Sequence, residues 1–134
     1  GGSLFAGDIK TKATLYERLG GMSSIRAVVD DFAARLMADS RVNRWFAHAA
    51  SDPERLAAYK KTFADMVCQA TGGPCKYAGM DMVTAHKGRG ITSQAFDAVV
   101  QDLTATLVHL KVPEQEKGQL LGLLGPMKPM VVQQ

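Results

Sequence analysis

At 134 residues, 46% apolar and 22% charged, the chain is one domain, long enough to close its own hydrophobic core and too apolar to stay disordered. Its net charge of +3 is scattered along the sequence, without the aromatic-interleaved basic stripe of a nucleic-acid binder. No apolar run approaches the roughly 20 residues that span a bilayer, so no membrane-spanning segment is expected.

Taken in chain order, the sequence reads as helices. The opening stretch Gly1-Gly-Ser-Leu-Phe-Ala-Gly7 has neither an initiator Met nor a signal-peptide core. Residues 1–13 therefore read as a tag remnant, an N-terminal extension or the start of a mature exported chain, ahead of a domain over 14–134. Thr14-Leu-Tyr-Glu17 matches a capping box, and the pair Gly20-Gly21 ends the short helix it opens. Ser23 or Ser24 is expected to cap the next helix, whose apolar residues Ile25, Val28, Val29, Phe32 and Leu36 recur at three and four. A turn from Val42 to Phe46 carries the only Trp, Trp45. Asp52-Pro53 is a helix start, an N-cap followed by Pro at the first position, and the helix runs to about Gln69.

The glycine-broken loop Gly72-Gly-Pro-Cys-Lys-Tyr-Ala-Gly79 leads to Met82-Val-Thr-Ala-His86, after which Gly88 and Gly90 interrupt regular structure. Thr92 caps a helix from about Ser93 to Leu110, with Phe96, Val99, Val100, Leu103, Leu107 and Leu110 on one wide apolar face. Val112-Pro113 starts the last helix, which Pro126 and Pro129 limit.

Two features carry chemistry. His86 stands between apolar helices, where an imidazole is either a packed, hydrogen-bonded core residue or a metal ligand. Cys68 and Cys75 flank Gly72-Gly73-Pro74, in neither a covalent haem-attachment motif nor a complete zinc set. They are either a disulfide, which implies a periplasmic or otherwise exported chain, or two reduced thiols in a cytoplasmic one. There is no catalytic triad, phosphate loop or paired-carboxylate motif, so no catalytic residue is assigned.

Nearly the whole chain, from Thr14 to Met130, carries a specific combination of stretches. These are Thr14-Leu-Tyr-Glu-Arg-Leu-Gly-Gly21, Val28-Val-Asp-Asp-Phe32, Trp45-Phe46, Gly72-Gly-Pro74, Tyr77 with Gly79, Met82 to Ile91 with His86 after Met-x-x-x, and Phe96-Asp-Ala-Val-Val100. In this combination the chain resembles the group I truncated haemoglobins, small globins built as an all-α two-over-two helical sandwich around a haem. The resemblance implies haem b (iron protoporphyrin IX) as cofactor, His86 as the proximal iron ligand and Phe46 against the distal haem face.

Relatives often place a Tyr directly after the Phe of the second helix to stabilise bound oxygen, and here that position is Ala33. An ungapped alignment through Gly72-Gly73 sets Tyr59, Phe63 and Met66 on one face of the distal helix at i, i+4 and i+7. Tyr59 is then the candidate distal donor. A register shift of one would bring Lys60 and Thr62 inward in place of Tyr59 and Phe63. Tyr77, Met82, Ile91, Phe96 and Val99 are expected as further walls, with Lys61, Lys76, Lys87 and Arg89 toward the propionates. Relatives that attach haem covalently use a His of the last helix, where this chain reads Gly125-Pro-Met-Lys-Pro129, so no such link is expected.

The function implied is reversible binding of a diatomic gas (oxygen, nitric oxide or carbon monoxide), of the oxygen transport or storage type. Nitric oxide detoxification with a reductase partner is the enzymatic reading of the same site. The other readings are a haem-dependent redox enzyme acting on peroxide or nitrite, and a haem-based sensor. A monomer or weak dimer is expected.

Overall fold

A computed structural model describes residues 13–133; the stretch expected to be an extension or tag remnant lies outside the described residues, apart from Ala13. The helices are α1 (Leu15–Leu19), α2 (Gly21–Ala38), α3 (Pro53–Ala70), α4 (Met82–His86), α5 (Ser93–His109), α6 (Glu114–Gly122) and α7 (Lys128–Val131). Single 3-10 turns cover Asn43–Phe46 and Gly125–Met127. Helices α2 and α3 pack on one another, α5 packs on α6, and α2 crosses onto α5, which builds the two-over-two sandwich. No helix among the described residues is long and apolar enough to cross a membrane.

Local chemistry explains the boundaries. Thr14 accepts from the Glu17 amide and Glu17 reaches back to the Thr14 amide, a complete capping box. Gly20, at φ 106°, ends α1 in the left-handed region that glycine adopts without a Cβ penalty. The same residue serves as N-cap of α2, which begins at Gly21, so Ser23 and Ser24 lie inside its first turn and do not cap it. Asp52 and Thr92 cap α3 and α5 through their side chains. Pro126 and Pro129 restart helical structure after α6, each in a first turn where the missing N–H has no partner to lose. The short α7 that results is absent from the sequence reading.

The main core joins α2, α5, α6 and α7 through Phe32, Leu36, Phe96, Leu103, Leu107, Leu120 and Val131, while Leu110 at the end of α5 is exposed. A second cluster, Ile25, Val29, Ala64 and Cys68, seals α2 against α3. Thr106 on α5 is fully buried and donates to Asp31 Oδ1 on α2 at 2.6 Å. Burial pushes the Asp31 carboxyl up, but the Thr106 and Arg35 hydrogen bonds outweigh it and hold the group below its usual range.

A second polar joint sits where α2 gives way to the 3-10 turn. Arg41 Nη2 lies 2.8 Å from Asp39 and 3.8 Å from Asp102 on α5, and Asp102 Oδ2 is buried with no partner. Burial, then the neighbouring Asp39 carboxyl, push Asp102 up to about 6, whereas Arg41 holds Asp39 below the usual carboxylate range. A carboxyl raised on folding contributes stability that is complete below the unfolded value of 3.8 and is lost as pH rises through about 6. Urea unfolding should therefore show wild type losing stability relative to Asp102→Asn as pH is raised from about 4 to about 7. A difference independent of pH would contradict this origin.

Candidate functional site

A cavity of about 610 Å³ opens between α3 and α4 and reaches down to α5 and α7. The distal wall comes from one face of α3, Tyr59, Thr62, Phe63 and Met66, completed by Trp45 and Phe46 of the 3-10 turn. The opposite wall is the loop Tyr77–Met80 with Met82, Ala85 and His86 of α4. Phe32 and Leu36 of α2, then Ile91, Phe96, Val99 and Leu103, close the floor. The volume falls within the roughly 300–1,000 Å³ of pockets that enclose sizeable organic ligands, and the walls are mainly apolar as such pockets require.

His86 is the one imidazole on the wall facing α3. Its Nδ1 lies 2.7 Å from the Met82 carbonyl oxygen. A carbonyl only accepts, so Nδ1 carries the hydrogen and donates, which leaves Nε2 as the ring nitrogen whose electron pair can face the cavity. Asp81 starts α4 by accepting from the Thr84 amide at 2.7 Å, and the Thr84 contacts hold its carboxyl below the usual range. An Nε2 donor in a large apolar cavity, with its tautomer set by a backbone carbonyl, is the donor chemistry that haem iron takes from a protein. The residues present therefore fit a haem.

On the distal side the ring of Tyr59 meets Phe46 edge-on at 5.9 Å and Phe63 at 6.1 Å. Burial pushes the Tyr59 hydroxyl well above the usual phenol value, with Arg89 offsetting it only in part, so it remains protonated and able to donate. No protein hydrogen bond engages that hydroxyl among the described residues. Ala33 is buried and shares a side chamber of about 10 Å³ with Leu36, Phe46 and Tyr59. The larger cavity thus receives Tyr59, Phe63 and Thr62, while Lys60 turns away to pair with Asp30 on α2 at 3.2 Å.

Phe46, Tyr59, Phe63, Met66, Tyr77, Met82, Ile91, Phe96, Val99 and His86 all line the cavity. Lys61 and Lys76 do not, which corrects their expected place. Lys61 is two residues from Tyr59, hence on the opposite side of α3, and its 77%-exposed amine pairs with Asp65 at 2.9 Å. Lys76 is exposed and does not line the cavity. The basic side chains at the cavity are instead Arg89 and His48.

A reciprocal pair of hydrogen bonds joins the 3-10 turn to the segment after α4. Trp45 Nε1 donates to the Arg89 carbonyl at 2.8 Å, and Arg89 Nη2 donates to the Trp45 carbonyl at 2.7 Å. Such a contact, 44 residues apart, leaves no local signal.

Cys68 and Cys75 form a disulfide, tying the end of α3 to the loop that supplies Tyr77–Met80. Gly73 allows it: a Cβ there would stand 2.5 Å from the Tyr16 ring and 2.6 Å from Cys68 Sγ. Gly73→Ala should lower the unfolding free energy by about 1–3 kcal/mol through overpacking, read from urea denaturation. An unchanged midpoint would mean that the loop yields without cost.

The family model for bacterial-like globins matches residues 14–133. A group 1 truncated haemoglobin of Tetrahymena thermophila is 34% identical over 111 residues, 83% of this chain and 88% of that protein. One from Synechocystis is 37% identical over 117 residues, 84% and 90% of the two chains. Among solved structures, a Synechococcus 2/2 haemoglobin in the cyanomet state with covalently attached haem superposes with a TM-score of 0.81 at 30% identity, covering 91% of this chain and all of that one. The Fe(III) truncated haemoglobin of Tetrahymena pyriformis gives 0.80 at 29% identity, covering 90% and 98%. The chain belongs to the bacterial-like globin family, as a group 1 truncated haemoglobin, and so to the haem proteins that bind small gases.

Proposed function

We propose that this chain holds haem b without a covalent link, through His86 Nε2, and binds oxygen reversibly for transport or storage. The observation that carries the reading is the hydrogen bond from His86 Nδ1 to the Met82 carbonyl, which reserves Nε2 for the iron. The bound haem supplies an iron with a further coordination position for a diatomic gas.

The chain's own residues do the rest. Phe46, Phe63 and Met66 keep water from the distal side, where an apolar wall also suits nitric oxide and carbon monoxide. Tyr59, protonated and without a hydrogen-bond partner among the described residues, offers its hydroxyl to the end of a gas molecule that gathers negative charge. It supports a transfer of the donor role to α3 from position 33 on α2, because Tyr59 and Ala33 border the same side chamber. The three histidines of the chain are His48, His86 and His109, so no histidine of α6 or α7 is present for covalent attachment. Arg89, whose side chain lines the cavity, is the guanidinium proposed to meet a propionate.

The apolar distal wall of Phe46, Phe63 and Met66 also supports a second reading, nitric oxide detoxification, in which nitric oxide and oxygen meet on the distal side and a reductase restores the ferrous state. The Cys68–Cys75 disulfide supports a periplasmic or otherwise exported location.

Tyr59→Phe should speed oxygen dissociation from the ferrous haem-loaded protein about ten- to a hundredfold, the worth of one charge-assisted hydrogen bond. Carbon monoxide dissociation should change little. Equal oxygen rates in the two proteins, measured by stopped-flow displacement, would remove Tyr59 from the role.

A further inference from the structure

Helix α4 is five residues long and buries none of them fully. A helix that short is not stable by itself, so the place of His86 depends on what ties residues 86–91 to the rest of the chain. Gly88 and Gly90 have φ of 77° and 67° with open space around them, and they add no packing of their own. The Trp45–Arg89 pair holds this segment from the distal side.

A second tie comes from the opposite end of the sequence. As the chain leaves α7, the side chain of Gln133 turns toward the segment. Its Nε2 donates to the His86 carbonyl at 2.7 Å, and its Oε1 accepts from the amides of Gly90 at 2.8 Å and Ile91 at 3.3 Å. The Gln133 backbone amide donates to the Ile91 carbonyl at 2.9 Å. Nε2 also donates to the Val131 carbonyl at 3.1 Å, and Val131 is buried in the main core. One side-chain amide thus joins the core to the backbone of His86 itself and to the turn after it. The ring is then fixed from both sides of its Cα, by Nδ1 on Met82 and by the carbonyl on Gln133.

We infer that Gln133 is a positioning residue for His86, clasping the segment 86–91 so that Nε2 keeps one orientation toward the cavity. The inference rests on the haem reading above. A side-chain amide suits the task because it donates and accepts at once, without the desolvation cost of a charge.

The test uses haem-loaded wild type, Gln133→Ala, Gln133→Glu and His86→Ala. The readouts are the iron–histidine stretching band of the ferrous proteins by resonance Raman, hydrogen exchange at Gly90 and Ile91, and the rate of haem transfer to a scavenger apoprotein. Gln133→Glu keeps the acceptor and loses the donor, whereas Gln133→Ala loses both. Both variants should displace or broaden the band and release haem roughly tenfold faster. Only Gln133→Ala should lose protection at Gly90 and Ile91. An unaltered band and transfer rate in Gln133→Ala, alongside a band abolished in His86→Ala, would overturn the role of Gln133 while leaving the haem reading intact. Haem spectra indifferent to His86→Ala would overturn the haem reading and this inference with it.

Discussion

The hydrogen bond from His86 Nδ1 to the Met82 carbonyl is the contact on which the chemistry of this molecule depends. It converts an imidazole with two equivalent prospects into a ligand with one free electron pair, on Nε2, and it does so with the helix's own backbone. Everything around it keeps that arrangement in register. Asp81 sets where α4 begins, Gln133 and Trp45 hold the segment that follows, and Phe96, Val99 and Leu103 give the cavity an apolar floor.

The two walls of the cavity are not independent. The disulfide joins the last turn of α3 to Cys75 in the loop that runs on through Tyr77–Met80 to α4, so the first part of the connection between the two walls is covalently closed. Gly73 lets that stretch pass between the Tyr16 ring and the Cys68 sulfur, where no side chain fits. Local covalent and steric constraints thus fix the path by which the chain leaves α3. This matters in a globin that has so few helical turns on the proximal side.

Much of this was legible in the chain itself. The capping box at Thr14, the Asp52-Pro53 start of α3 and the Thr92 cap of α5 are local patterns, and each stands where its chemistry demands. The register of α3 came from the ungapped alignment through Gly72-Gly73, which sets Tyr59, Phe63 and Met66 on one face, whereas the same helical period turns Lys61, expected toward the propionates, to the other. What escaped were contacts without local signature: the Trp45–Arg89 pair and the Gln133 clasp, both made between residues distant in sequence. Gly20 displaced the serines as cap of α2 because a left-handed glycine can end one helix and begin the next, a dual use that cap preferences alone do not reveal. The helix at Lys128–Val131 was hidden because proline signals both an end and a first turn.

The most direct measurement is a Soret-monitored titration of haem into wild type and His86→Gly, followed by addition of imidazole. One equivalent should bind wild type with a sharp band. His86→Gly should bind weakly or with a displaced band, and imidazole should restore the wild-type spectrum by entering the space left by the side chain. Identical bands and stoichiometry in the two proteins, with no response to imidazole, would contradict ligation by His86 and with it the central claim.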